Sequence, residues 1–265
     1  MTDTRPIHSA HSYRLSTTAL VVICLLAATT SDLRSADLAR QAIEINRCAA
    51  GIVGGRTDAG HPAVGLFRTK TKPCTATLIG KRTVLTAAHA IDEGFQHIFV
   101  LGGVEYEVES AVQHPRFTVR DQPLEDADPL QYAAHDVAIV RLRQAPPVEP
   151  AVLNTGPLRL NMQLAIVGLG ETRKGRDDRG VKRVAENTIA ILFRRNYQFN
   201  DHGSVCHGDS GGPSFAIIKD REVLVGVHSV VSNPCGAFGV DMRVDFYIDW
   251  IKDTAGGDVV LLPAD

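Results

Sequence analysis

Apolar and polar positions change rhythm twice along this chain. A compact apolar run, Ala19 to Ala28, follows Arg5 and Arg14 and gives way to small polar residues. Ser31 to Gly51 is rich in helix formers, with Leu38, Ala42 and Ile45 at helical spacing, which predicts a short helical leader. From Ile52 onward the pattern becomes short apolar runs broken by Gly, Pro, Asn and Asp. Runs at Ala63–Phe67, Thr75–Ile79, Thr83–Thr86, His97–Leu101, Val104–Val112 and Val137–Leu142 predict a first set of strands with turns between them. Ala145 to Pro150 reads as an extended linker, because proline fixes φ and cannot donate to a ladder. A second set is predicted at Leu164–Gly168, Ala185–Phe193, Pro213–Ile218, Val223–Ser229 and Gly239–Arg243, and apolar spacing over Val244–Lys252 suits an amphipathic helix. The expected fold class is all-β, two antiparallel barrels with a C-terminal helix and a site between them.

Composition narrows this picture at three points. With 265 residues, 44% of them hydrophobic, the chain can bury one large core or two modest ones. A net charge of −2 gives no argument for a nucleic-acid or polyanion partner, and no nucleic acid is expected. The run behind Arg5 and Arg14 is too short for a comfortable membrane span and has the form of a secretory signal cut between Ala28 and Ala36, a signal anchor being the alternative. Ile23 is too bulky to precede a lipidated Cys24. The expected organisation is therefore a signal over 1–30, a propeptide over 31–51, and barrels over 52–150 and 151–265. Once Cys24 leaves with the signal, Cys48, Cys74, Cys206 and Cys235 remain, an even count that suits disulfides in a secreted or periplasmic protein. The charged run from Arg173 to Arg183 reads as a solvated loop.

The candidate chemistry centres on Gly208-Asp209-Ser210-Gly211-Gly212. Alone, this could be a tight turn. Two other segments give it a purpose: His89 ends the small-residue run Leu85-Thr86-Ala87-Ala88, and Asp136 stands at the mouth of the apolar strand Val137-Ala138-Ile139-Val140. A serine hydroxyl needs a base in reach, an imidazole titrates near neutral pH, and a buried carboxylate can hold its tautomer. The alternative, a Gly-x-Ser-x-Gly elbow of an α/β-hydrolase, requires serine, acid and histidine in that order with a helix after the serine. Here His89 and Asp136 precede Ser210, and Gly-Gly-Pro follows it.

With Ile52-Val53-Gly54-Gly55 upstream, these segments resemble the chymotrypsin/trypsin family of serine peptidases over about Ile52 to Ala255. The resemblance implies a chymotrypsin-like pair of six-stranded barrels, the first carrying His89 and Asp136, the second carrying Ser210. It also implies a secreted, monomeric serine endopeptidase that forms an acyl-enzyme on Ser210. His89 is then the general base, Asp136 orients it, and the N–H groups of Gly208 and Ser210 form the oxyanion hole. Asp209 pairs with a new amine at Ile52 in an activated zymogen, although Ala49-Ala50-Gly51 replaces the usual basic residue before the cut. Cys206 is expected to bridge to Cys235. Cys74 meets Ala90 where its usual partner stands, which leaves a bridge to Cys48 or a thiol as alternatives. Around the primary pocket, Ser204 takes the floor, Val231 narrows the wall, and His228, Gly239 and Asp241 stand nearby. Ser204 and Val231 favour small apolar side chains, His228 acidic ones and Asp241 basic ones, in that order. No cofactor, metal or membrane contact after signal removal is implied; the partners are protein or peptide substrates and protein inhibitors. A protease-like binding protein with little activity is the alternative from another class.

Overall fold

The computed structural model describes residues 52–71, 73–119, 133–176, 178–200, 203–232 and 235–263; the expected signal, leader helix and Cys48 lie outside the described residues. In chain order, the short strand β1 (Arg56–Thr57) is followed by β2 (Val64–Arg68), β3 (Cys74–Leu78), β4 (Thr83–Thr86), β5 (Ile98–Leu101) and β6 (Val104–Gln113). A small pair, β7 (Thr118–Val119) with β8 (Ala133–Ala134), precedes β9 (Ala138–Leu142). Strands β2, β3, β4, β9, β6 and β5 pair antiparallel in that order and close into a barrel.

Beyond β10 (Val152–Leu153) come β11 (Gln163–Gly168), β12 (Arg183–Leu192), β13 (Asn196–Phe199), β14 (Pro213–Ile218), β15 (Arg221–Val231) and β16 (Gly239–Arg243). Strands β11, β12, β13, β16, β15 and β14 form a second antiparallel ring, closed because β14 pairs with both β15 and β11. Helix α1 (Val244–Thr254) and β17 (Val260–Leu261), parallel to β10, complete the described chain. The architecture is the expected one. The sixth strand of the second ring, β13, escaped the periodicity reading because Arg194 and Arg195 precede it and only Tyr197 and Phe199 carry its apolar face. Both aromatic rings are fully buried.

Each barrel fills its interior with inward-pointing alternate residues. Phe67, Leu78, Val84, Phe99, Val140 and Leu142 pack in the first, and Leu164, Ile166, Ile189, Tyr197, Phe199 and Val225 in the second. A third cluster crosses between them, joining Leu85, Val137 and Ile139 to Val167, Phe215, Val227, Met242 and Tyr247. The first-barrel members flank His89 and Asp136 in sequence, so apolar burial holds those segments against the second barrel. A polar clasp adds to it: Asp258, beyond α1, accepts from Lys81 N, Arg82 N and Thr83 Oγ1 at 2.8, 2.9 and 2.8 Å and pairs with Arg141 at 3.1 Å.

Candidate active site

His89 lies in a single 3₁₀ turn, Ala88–Ala90, that follows β4 directly. Its backbone N–H donates to Asp136 Oδ1 at 2.8 Å, and its ring Nδ1–H donates to Asp136 Oδ2 at 2.7 Å. Ser229 Oγ–H, near the end of β15, donates to the same Oδ2 at 2.6 Å. Asp136 is fully buried. Burial pushes its carboxyl up, but the His89 charge and these three hydrogen bonds outweigh that and hold it below the usual carboxylate range. The same balance runs in reverse at His89, where burial pushes the ring's pKa down and Asp136, by charge and hydrogen bond, carries it above the ordinary imidazole value. With Nδ1 engaged as a donor, the neutral ring presents its lone pair at Nε2.

The residue before Asp136 is itself anchored. His135 sits in the left-handed region at φ 56°, uncommon for a residue with a side chain, and is 4% exposed. Its ring stacks on His114 with centroids 4.7 Å apart, reaches Tyr247 Oη at 3.3 Å through Nδ1 and meets Arg195 Nη1 at 3.4 Å through Nε2. Burial, then His114, Arg195 and Arg116, push its pKa down to about 4, so the ring is neutral at working pH.

The Ser210 loop is held by both barrels. Thr75 of β3 donates its N–H to the Ser210 carbonyl and its hydroxyl to the Gly208 carbonyl, each at 2.9 Å. The Thr75 hydroxyl in turn accepts from Leu169 N at 3.1 Å, and Thr86 Oγ1 donates to the Thr75 carbonyl at 2.9 Å. From the second barrel, Gly211 N–H donates to the His228 carbonyl and His228 N–H to the Gly212 carbonyl, both at 2.8 Å. Gly211 has φ 81°, and a β-carbon there would collide with Thr86 Oγ1 and the Thr75 carbonyl. That contact brings the loop against the segment leading to His89. Asp209, Gly211 and Gly212 spend their N–H groups on carbonyls of Cys206, His228 and Asp209; those of Gly208 and Ser210 meet no backbone carbonyl among the described residues.

Asp209 is fully buried and accepts from Gly170 N and Cys206 N, each at 2.8 Å. Burial pushes its carboxyl up to about 6, against these two hydrogen bonds and the charges of His228 and Arg183. A side chain at Gly168 would collide with this carboxylate. Ile52 is also fully buried, among Leu164, Ile166 and Ile189, with φ 40°. The next residue, Val53, pairs with Ser204 through N–H to carbonyl bonds of 2.7 and 3.1 Å. Cys206 is bridged to Cys235. Cys74 is buried in the same cluster as Ala90, and burial pushes its thiol up to about 12.

The residues expected at the primary pocket divide. Ser204 is fully buried and its hydroxyl has no hydrogen-bond partner among the described residues. Val231 pairs with Gly239 across β15 and β16. A β-carbon at Gly239 would strike the Phe199 ring and Val205. Asp241 corrects the expectation of a carboxylate facing substrate: it is fully buried in the second barrel, where Tyr197 Oη and Ser214 Oγ donate to its Oδ2 at 2.9 and 2.5 Å. His228, 1% exposed, is a satisfied core histidine, with Nδ1 at 2.8 Å from Asp241 Oδ1 and Nε2 at 3.2 Å from the Val167 carbonyl. The charged run from Arg173 to Arg183 is exposed over 173–176 and at Gly180 and Val181, but its basic residues are not all in solvent. Arg183 is 8% exposed, and Arg179 pairs with the buried Glu171 at 2.8 Å.

Sequence reasoning passed over Ser229, Thr75 and His135 as supports. Ser229 had a faint signal, since it lies in the predicted strand Val223–Ser229. Thr75 had the same faint signal, as the first residue of the predicted strand Thr75–Ile79, and His135 only its place beside Asp136; the partners of both are distant in sequence.

Comparison with known proteins agrees with this architecture. The family model described as Trypsin matches residues 52–251. A collagenase of Hypoderma lineatum is 27% identical over 212 residues, covering 69% of this chain and 76% of that protein. Serine protease SP24D of Anopheles gambiae is 28% identical over 241 residues, covering 77% and 81%. Among solved structures, mouse neuropsin, a serine protease, superposes with a TM-score of 0.64 at 24% identity, over 76% of this chain and 98% of its own. Human heparin binding protein gives 0.63 at 21% identity, over 80% and 99%. At those identities the structures speak to the fold alone.

Proposed function

The chain belongs to the trypsin family of serine peptidases, and from that premise we propose that it is a secreted endopeptidase acting through an acyl-enzyme on Ser210. The observation that carries this reading is the buried Asp136 carboxylate holding His89 by both backbone N–H and ring Nδ1–H. His89 Nε2 takes the Ser210 proton as the hydroxyl attacks the peptide carbonyl, and then delivers it to the leaving amine. Asp136 keeps the ring in the tautomer this requires and stabilises the imidazolium. The N–H groups of Gly208 and Ser210 receive the charge on the tetrahedral oxygen; one such donor typically contributes about 10²–10³ in rate. Water then hydrolyses the ester by the same relay.

Activation by a new amine at Ile52 fits the two strained features of the intact chain. Asp209 is a buried carboxylate carried up to about 6, and Ile52 holds a backbone conformation that a β-branched residue rarely adopts. Cutting before Ile52 releases the φ constraint and creates an ammonium for Asp209. For the primary pocket, uncharged Ser204, Val231 and the Phe199 ring packed on Gly239 support small apolar side chains before the scissile bond. The internal engagement of Asp241 removes the support for Lys or Arg.

The test is intact mass after a serine-directed phosphonate, on the full chain and on a form beginning at Ile52. Labelling of Ser210 in the shorter form alone is the expected result. Equal labelling would show that the site assembles without cleavage. If neither form is labelled, the peptidase reading fails in favour of a binding protein on the same fold.

A further inference from the structure

His228 and Asp241 form a buried, hydrogen-bonded pair inside the second barrel that the reaction does not use directly. The ring of His228 has an acceptor on each side: Asp241 Oδ1 at 2.8 Å from Nδ1, and the Val167 carbonyl at 3.2 Å from Nε2. A neutral imidazole has one N–H, so one of these contacts would set two lone pairs against each other. At 1% exposure no solvent relieves that conflict, and only the imidazolium satisfies both acceptors. Asp241 completes the arrangement by accepting from Tyr197 Oη and Ser214 Oγ as well.

This pair stands directly behind the Ser210 loop. The His228 carbonyl receives Gly211 N–H, and its N–H reaches the Gly212 carbonyl. A β-carbon at Gly212 would lie 3.0 Å from His228 Cδ2, so the ring abuts the loop. The next residue, Ser229, donates to Asp136. One short piece of β15 therefore holds both the nucleophile's turn and the carboxylate that orients His89.

Building on the peptidase reading, we propose that His228, fixed as an imidazolium by Asp241, is a positioning residue for the Ser210 loop and for Asp136. The titratable groups around the ring are Asp241 on β16, Asp209 in the loop and, through Asp241, Tyr197 on β13. Burial alone pushes the ring's pKa down; the charge and hydrogen bond of Asp241, with the Asp209 charge and the Val167 carbonyl, carry it above the ordinary value.

Two readouts test the proposal on the full-length protein without requiring turnover. In nitrogen NMR of labelled histidine, His228 should be doubly protonated near pH 8, where an exposed histidine is about 97% neutral. In His228→Gln, exchange of the Gly211 amide should accelerate at least about tenfold, since the carbonyl that receives it loses its anchor. A neutral ring at that pH, or unchanged exchange, overturns the proposal. In the form that the phosphonate labels, kcat per titrated Ser210 should fall about 10- to 100-fold in His228→Gln and in Asp241→Asn, with KM within about twofold. The double variant should lose no more than either single, because the two residues act as one unit. Unchanged kcat per titrated site in both singles, with only a lower melting point, would mean the pair merely stabilises the fold. If a single variant does not fold, the double variant carries the test, since replacing both members of a buried pair is far better tolerated than stranding one. Absence of phosphonate labelling in the native protein counts against the peptidase reading, while the ring's protonation state and the Gly211 exchange still decide the pair.

Discussion

At Asp136, three donors converge on one buried carboxylate, and the consequence is a histidine whose two duties pull in opposite directions with pH. The protonated His89 ring is favoured by Asp136, so its contribution to stability is full below the ordinary value of about 6.5 and is lost as pH rises through the higher folded value. Catalysis needs the neutral ring, so kcat/KM should rise over that same interval, with its midpoint above about 6.5. Asp136→Asn should lower kcat by about 10⁴, the loss general for a triad that keeps its shape but not its tautomer, and move the acid limb of the pH–rate profile downward. An acid limb that stays in place would mean that Asp136 does not set the ring's pKa. The three side chains proposed for the relay were singled out in the sequence because each sits in a short motif with its own backbone logic. The role of Ser229 was not, because membership of a strand does not reveal a hydroxyl aimed at a carboxylate 93 positions away. Asp241 was misjudged for the same reason: period two on a strand says which face a side chain takes, and only the partners Tyr197, Ser214 and His228 reveal that this face is interior.

Among the elements, β3 does more than close the first barrel. Through Thr75 it reaches across to the Ser210 loop and to Leu169, so part of the site's rigidity belongs to a strand that carries none of the reacting groups. Thr75→Val keeps the shape and the backbone bond to Ser210 but strands the Gly208 carbonyl and Leu169 N–H. A cost of about 1–3 kcal/mol is expected in urea unfolding, together with slower phosphonate labelling of Ser210. Full stability would show that this hydroxyl is replaceable. Most strands were read to within a residue or two, because alternation and turn residues are local properties. Outside the barrels the two-residue strands β1, β7, β8, β10 and β17 were not read, and within them the exception, β13, is only four residues long and follows two arginines. Its identity as a strand comes from pairing with β12 and β16 on either side.

For the molecule as a whole, the open question is what cleavage before Ile52 changes. In the uncut chain the folded state raises the Asp209 pKa to about 6. Folded protein then binds the proton more tightly than unfolded chain does, so stability falls as pH rises from the ordinary carboxylate value through about 6. A new ammonium at Ile52 reverses that sign by favouring the ionised carboxylate, until the amine itself deprotonates near about pH 8. The melting point of the cleaved form should therefore exceed that of the full chain by more at pH 7 than at pH 5. Equal differences at the two pH values would mean that the amine does not reach Asp209. The disulfide between Cys206 and Cys235, 29 residues apart, is expected to contribute about 3–4 kcal/mol by limiting the unfolded chain.

By itself the sequence determined the class of fold, all but one of the barrel strands and the family, and it supplied the three side chains proposed for the relay. Those follow from periodicity, turn chemistry and short motifs, all of which act within a few residues. Tertiary structure alone decided that Thr75 clasps the Ser210 loop, that Ser229 donates to Asp136, and that His228 and Asp241 hydrogen-bond in the core. It also filled the space beside Gly239 with Phe199. The physical reason is one of range: a hydrogen bond or an ion pair is satisfied by whichever group the fold brings within about 3 Å, and in a closed barrel that partner comes from a strand far away in the chain.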